Sequence, residues 1–83
     1  MNYKIVILKR ARKYIESQPP KVQKQLLCAI NQLPAGDTKA LKGHENLFRL
    51  RVGGVRVIFS IENDIITITV IDIGNRRKIY NRY

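Results

Sequence analysis

The 83-residue chain has one cysteine, one histidine, three prolines and only six acidic residues, and each scarcity removes a class of explanation. The single thiol, Cys28, can form no internal disulfide and fits a reducing, cytoplasmic setting. Among Leu26, Leu27 and Ile30 it is expected to be a small buried hydrophobe rather than a nucleophile. With His44 as the only imidazole, acid–base chemistry by a pair of histidines is impossible, and the scattered acids have no metal-ligand spacing. Neither metal nor cofactor is therefore expected. The one pair of adjacent glycines, Gly53-Gly54, reads as a hairpin tip and not as a phosphate loop. No apolar run reaches membrane-spanning length, and residues 3–8, with Lys4 near their start, are too short for a secretory signal core. Without repeats, low-complexity tracts or linkers, residues 1–83 are expected as one domain with a single small core.

What the chain has in excess is positive charge. Sixteen Lys and Arg against six Asp and Glu give a formal net charge of +10, a self-repulsion best relieved by an anionic partner. Nucleic acid is the first candidate and an acidic protein the second.

The pattern along the chain predicts an α+β sandwich in the order β-α-α-β-β-β, a helix pair on one face of a four-stranded, antiparallel-rich sheet. Residues 3–8 are β-branched and apolar, as in a buried strand. From Lys9 the period becomes helical, with Ala11, Tyr14 and Ile15 on one side and Arg10, Arg12, Lys13 and Glu16 on the other. Pro19-Pro20 ends this helix. A second is expected from Pro20 to Leu33, its apolar positions being Val22, Leu26, Leu27, Ile30 and Leu33. Residues 35–46 read as a loop, followed by strands at 47–52, 55–61 and 65–73. A turn at Asn63-Asp64 would put Ile66, Ile68 and Val70 on the face of Phe48, Leu50, Val57 and Phe59. The first strand's neighbour in the sheet is left open.

With Gly53-Gly54 as the tip, Arg51 faces Arg56 across the ladder and Arg49 faces Ile58, so three arginines share one face. Thr67, Thr69 and Ile71 are expected beside them. Like charges directly opposite each other destabilise a sheet. Folding alone gives little reason for such a pair, which points to a polyanionic ligand. Residues 75–83 add Arg76, Arg77, Lys78, Tyr80, Arg82 and Tyr83. If they turn helical, Arg76 and Tyr80 share a face and Ile79 anchors it. Guanidinium forks that bind phosphate oxygens, next to a phenol whose pKa nearby cations lower, suit cleavage of an RNA phosphodiester. Arginine serves poorly as a base, which makes Tyr80 the best candidate for proton transfer.

Three motifs together, Leu41-Lys42-Gly43, Phe48 to Phe59 and Ile73-Gly74-Asn75-Arg76-Arg77-Lys78-Ile79-Tyr80, resemble the RelE/ParE superfamily of bacterial toxins, and in particular its RelE-like mRNA endonuclease branch. The resemblance covers essentially the whole chain. It implies a cytoplasmic toxin of a toxin–antitoxin pair, an endoribonuclease that cleaves mRNA by 2′-hydroxyl attack in the ribosomal decoding site and uses no metal. Its partners would be the ribosome with mRNA and a cognate antitoxin, with DNA reached only through the antitoxin. Arg51, Arg56, Arg76 and Tyr80 then match catalytic positions and Arg49 a substrate-binding one. Arg77, Lys78 and Arg82, with Tyr83, are expected as substrate-binding RNA contacts, with antitoxin contacts or a frayed end as the other readings. Two positions depart from the family pattern. Arginine at both 49 and 51 removes a lysine that could act as base, and Asn75 stands where many relatives have histidine.

Two other functions compete. A ParE-like gyrase inhibitor would act by protein binding, and that branch does not generally keep the Arg76 and Tyr80 pair. A non-catalytic RNA-binding relative would bind RNA without cutting it. Lys9, Arg10, Arg12 and Lys13 are most simply an exposed helix face, with ribosomal RNA phosphates as the other reading. His44 is expected to be an exposed loop residue.

Overall fold

A computed structural model describes residues 3–62 and 67–83. The elements run β1 (Lys4–Ile7), α1 (Lys9–Glu16), α2 (Pro20–Asn31), β2 (Thr38–Ala40), β3 (Leu47–Val52), β4 (Val55–Glu62), β5 (Thr67–Asn75) and α3 (Arg76–Arg82). The α+β class stands, with two corrections. The sheet has five strands among the described residues, in the order β1-β5-β4-β3-β2, and a third helix closes the chain. The expected turn at Asn63-Asp64 and the placing of Ile66 lie outside the described residues.

The extra strand, β2, falls within the expected 35–46 loop. Thr38, Lys39 and Ala40 have no strand-like pattern of their own, yet they pair antiparallel with Leu50, Arg49 and Phe48. Without them β3 would present an unpaired edge, and the pairing satisfies its backbone groups. The β3–β4 hairpin has the expected register, Arg51 opposite Arg56 and Arg49 opposite Ile58. Gly53, at φ +60°, supplies the positive φ that the first central residue of a type II′ turn needs. β1 takes its place at the edge beside β5, in parallel.

One side of the sheet carries the core. Ala11 and Ile15 of α1 and Leu26 and Ile30 of α2 pack with Leu33 onto Leu50, Val57, Phe59, Ile68, Val70 and Ile73. Pro20 begins α2 at its first turn, where a missing N–H is harmless. The helix stops two residues short of Leu33, because tight bonds from Gln32 N–H to Ala29 O and from Leu33 N–H to Ile30 O redirect the chain and bury Leu33. Leu27, at 41% exposure, and Cys28 lie on the outer face of α2. Both were expected inside; the 3.6-residue period leaves room for only one stripe against the sheet.

A bulge in β5 decides what reaches the other side. Phe59 pairs with Val70 and Ile58 with Asp72, so Ile71 is the extra residue. Strict alternation would send Asp72 to the core with Val70. The bulge instead reverses the faces, returning Ile73 to the core and setting Asp72 and Gly74 on the arginine face, with Gly74 directly opposite Arg56. This second face is not open. α3 packs on β4 and β5 there, Ile79 is buried, and a Cβ at Gly74 would meet the Ile79 side chain at 3.4 Å.

Candidate active site

The site is built where α3 crosses the hairpin. Asn75 caps the helix, its Oδ1 accepting from Lys78 N–H at 2.9 Å, an arrangement that stabilises a helix start by about 1 kcal/mol. Arg76 N–H donates to Gly54 O at 3.1 Å, which ties the first residue of α3 to the hairpin tip. The segment is helical, so Arg76 and Tyr80 do share a face, the guanidinium carbon 5.4 Å from the ring centroid in a cation–π contact. Arg76, Arg77, Tyr80 and Asn81 line one shallow groove.

Arg56 lies under this group and is only 6% exposed. Its Nη1 donates to Gly53 O at 3.0 Å and to Val55 O at 3.3 Å. Its Nε is buried and has no acceptor among the described residues, which is costly for a charged donor unless a ligand supplies one. Tyr80, by contrast, is 55% exposed. A hydrogen bond with Arg76 lowers its phenol pKa below the ordinary value; desolvation opposes this, and the charge of Arg76 and the nearby Arg56 guanidinium add to the lowering.

The three strand arginines do not converge. Arg51 Nε donates to Asp37 Oδ2 at 2.5 Å, and Arg49 Nη1 lies 3.8 Å from Asp37 Oδ1 and 3.5 Å from Asp37 O. Asp37, just ahead of β2, thus partners both guanidinium groups of β3. Arg56 turns to the Gly53 carbonyl instead, and this divergence relieves the repulsion of the Arg51–Arg56 cross-strand pair. Of the remaining positions, Arg77 borders the groove, Lys78 is exposed, and Arg82 is bound to Asp72 at 2.6 Å. The structure therefore brings together Arg56, Arg76, Arg77 and Tyr80, and holds Arg49, Arg51 and Arg82 on carboxylates.

Two residues that matter to this geometry, Asp37 and Asp72, were missed, although each is an acid in a strongly basic chain and Asp72 interrupts an apolar strand. The contact of His44 with Tyr83 had no signal in the sequence. His44 is half-buried, a correction to the exposed role expected of it, with Nε2 3.3 Å from Tyr83 O and the two rings edge to face.

Comparison with known proteins agrees with this architecture. The model of the ParE toxin family, described as the ParE toxin of the type II toxin-antitoxin system, parDE, matches residues 7–80. The chain belongs to that family, within the RelE/ParE superfamily, and is a toxin of a toxin–antitoxin system. Among solved structures, the RelBE2 toxin-antitoxin complex of Mycobacterium tuberculosis is similar at 20% identity and a TM-score of 0.76, covering 92% of this chain and 100% of that one. The RelE-RelB complex of Pyrococcus horikoshii is 26% identical at a TM-score of 0.75, covering 92% and 97%. The intact E. coli RelBE complex is 22% identical at a TM-score of 0.68, covering 88% and 95%. No curated protein sequence matches the chain.

Proposed function

We propose that this toxin is a ribosome-dependent endoribonuclease that cleaves mRNA by attack of a 2′-hydroxyl on the adjacent phosphorus. Arg56 and Arg76 bind the non-bridging oxygens and stabilise the charge that grows as phosphorus becomes five-coordinate. Tyr80, as phenolate, takes the 2′-hydroxyl proton. The new bond from the 2′-oxygen forms as the bond to the 5′-oxygen breaks, leaving a 2′,3′-cyclic phosphate on one fragment and a 5′-hydroxyl on the other. The departing oxygen is stabilised by Arg76 and takes its proton from water. Arg77 and Lys78 are the flanking cations for the RNA backbone, while Arg49 and Arg51 stay on the Asp37 carboxylate.

The observation that carries this reading is the Arg76 guanidinium 5.4 Å from the ring of an exposed Tyr80, whose phenol pKa Arg76 and Arg56 lower. It is tested by mapping cut ends on mRNA bound to purified ribosomes. The wild-type chain should produce defined ends, and folded Arg56→Ala and Tyr80→Phe should produce none and no longer inhibit growth. Full activity in both variants would show that the assigned site is wrong.

The family model that matches is that of ParE, which favours gyrase inhibition as the second reading. Loss of DNA supercoiling with translation intact in a purified system would establish it and overturn the nuclease. In either case the protein partner is a cognate antitoxin, as relatives of this fold were solved as RelB complexes. The charge of +10 suits an acidic segment with apolar anchors.

A further inference from the structure

Asp72 is the one fully buried acid among the described residues, at 0% exposure, and what surrounds it comes from separate parts of the chain. Its Oδ1 accepts from Ile73 N–H at 2.9 Å. Its Oδ2 accepts from Arg82 Nη1 at 2.6 Å, with the Tyr83 hydroxyl at 3.5 Å and Arg10 Nη1 of α1 at 3.7 Å. A carboxylate out of water persists only when paired in this way. The Arg82 pKa is raised chiefly by its hydrogen bond to Asp72, and that of Tyr83 chiefly by burial and then by the same carboxylate.

These contacts fall at the end of α3, and α3 has seven residues. Fewer than two turns do not hold together in water alone, so docking decides whether this helix exists. Its first residue is tied to the hairpin tip through Gly54 O, and Ile79 supplies its apolar contact. Its last turn is held by Asp72, with His44 against Tyr83. Tyr80 is two residues from Arg82, so fraying that starts in the last turn of α3 would release Tyr80 before it reached Arg76. An apolar residue at position 72 would add buried area, but it would not fix where the last turn sits.

We propose that Asp72 is a positioning residue: its buried carboxylate clamps the end of α3 to the sheet and so holds Tyr80 and Arg76 in place beside Arg56. The consequence for rate rests on the nuclease reading; the clamp does not.

Asp72→Asn keeps the shape and removes the charge. The phenol of Tyr80, assigned by comparison with Tyr80→Phe, is titrated by NMR in the free protein alongside amide exchange across residues 76–82. In Asp72→Asn the Tyr80 titration should move up toward that of free tyrosine, and the α3 amides should exchange faster than those of β4. Cleavage on programmed ribosomes should fall roughly 10- to 100-fold, the scale of a small misplacement of reacting groups. Unchanged titration and exchange in a folded variant would overturn the clamp even if wild-type chain cuts RNA. If the titration moves as expected while wild-type chain cuts nothing, the clamp stands and the nuclease reading fails. Should Asp72→Asn not fold, Arg82→Ala, which leaves the carboxylate with Arg10, is read by the same titration and exchange against the same outcomes.

Discussion

Arg56 and Tyr80 divide the two requirements of the proposed phosphate-cleaving site. The first is buried and charged with a donor to spare, the second exposed and acidified by its neighbours. If Tyr80 is the base, its phenolate is the active form. Cleavage should therefore rise with pH and level off above a pKa lower than the value of about 10 for free tyrosine. A pH–rate profile of single-turnover cleavage checks this, and Tyr80→Phe should lose the rising limb. A flat profile would assign proton transfer elsewhere. Cationic residues were legible at this scale because their excess is a matter of counting. Their partners were not: Asp37 is 12 and 14 residues from the arginines it binds, and no local pattern specifies such a pairing.

At the scale of elements, β2 and α3 owe their existence to what they lie against. Thr38–Ala40 forms a strand because β3 offers a free edge, and it places Asp37 where it meets Arg49 and Arg51. Gly36 makes the approach possible: its φ is +111°, and a Cβ there would meet Leu50 Cδ1 at 3.1 Å. Gly36→Ala should destabilise the fold by on the order of 1–3 kcal/mol, measured by urea denaturation, and loosen Asp37 from its arginines. A denaturation midpoint equal to wild type would mean that the turn relaxes without penalty. The hairpin could be read in advance because alternation and a Gly-Gly tip are local signals. The bulge after Val70 could not, since an extra residue in one strand is defined only against its partner.

For the whole molecule, a net charge of +10 sets how it meets any polyanion. Binding to single-stranded RNA should weaken linearly on a log–log plot against salt, with a slope of about 0.7 per phosphate neutralised, as measured by fluorescence titration at several salt concentrations. A slope near zero would mean that the charge is compensated within the fold. By itself the amino-acid order determined the hairpin register, the helical stripes, the cationic face and the family likeness, because these depend on spacing within a few residues. The tertiary structure alone decided which cations remain available to a ligand. Both Asp72, turned by the bulge, and Asp37, set beside β3, take up arginines through contacts between distant segments, and the distances between such groups exist only once the chain has folded.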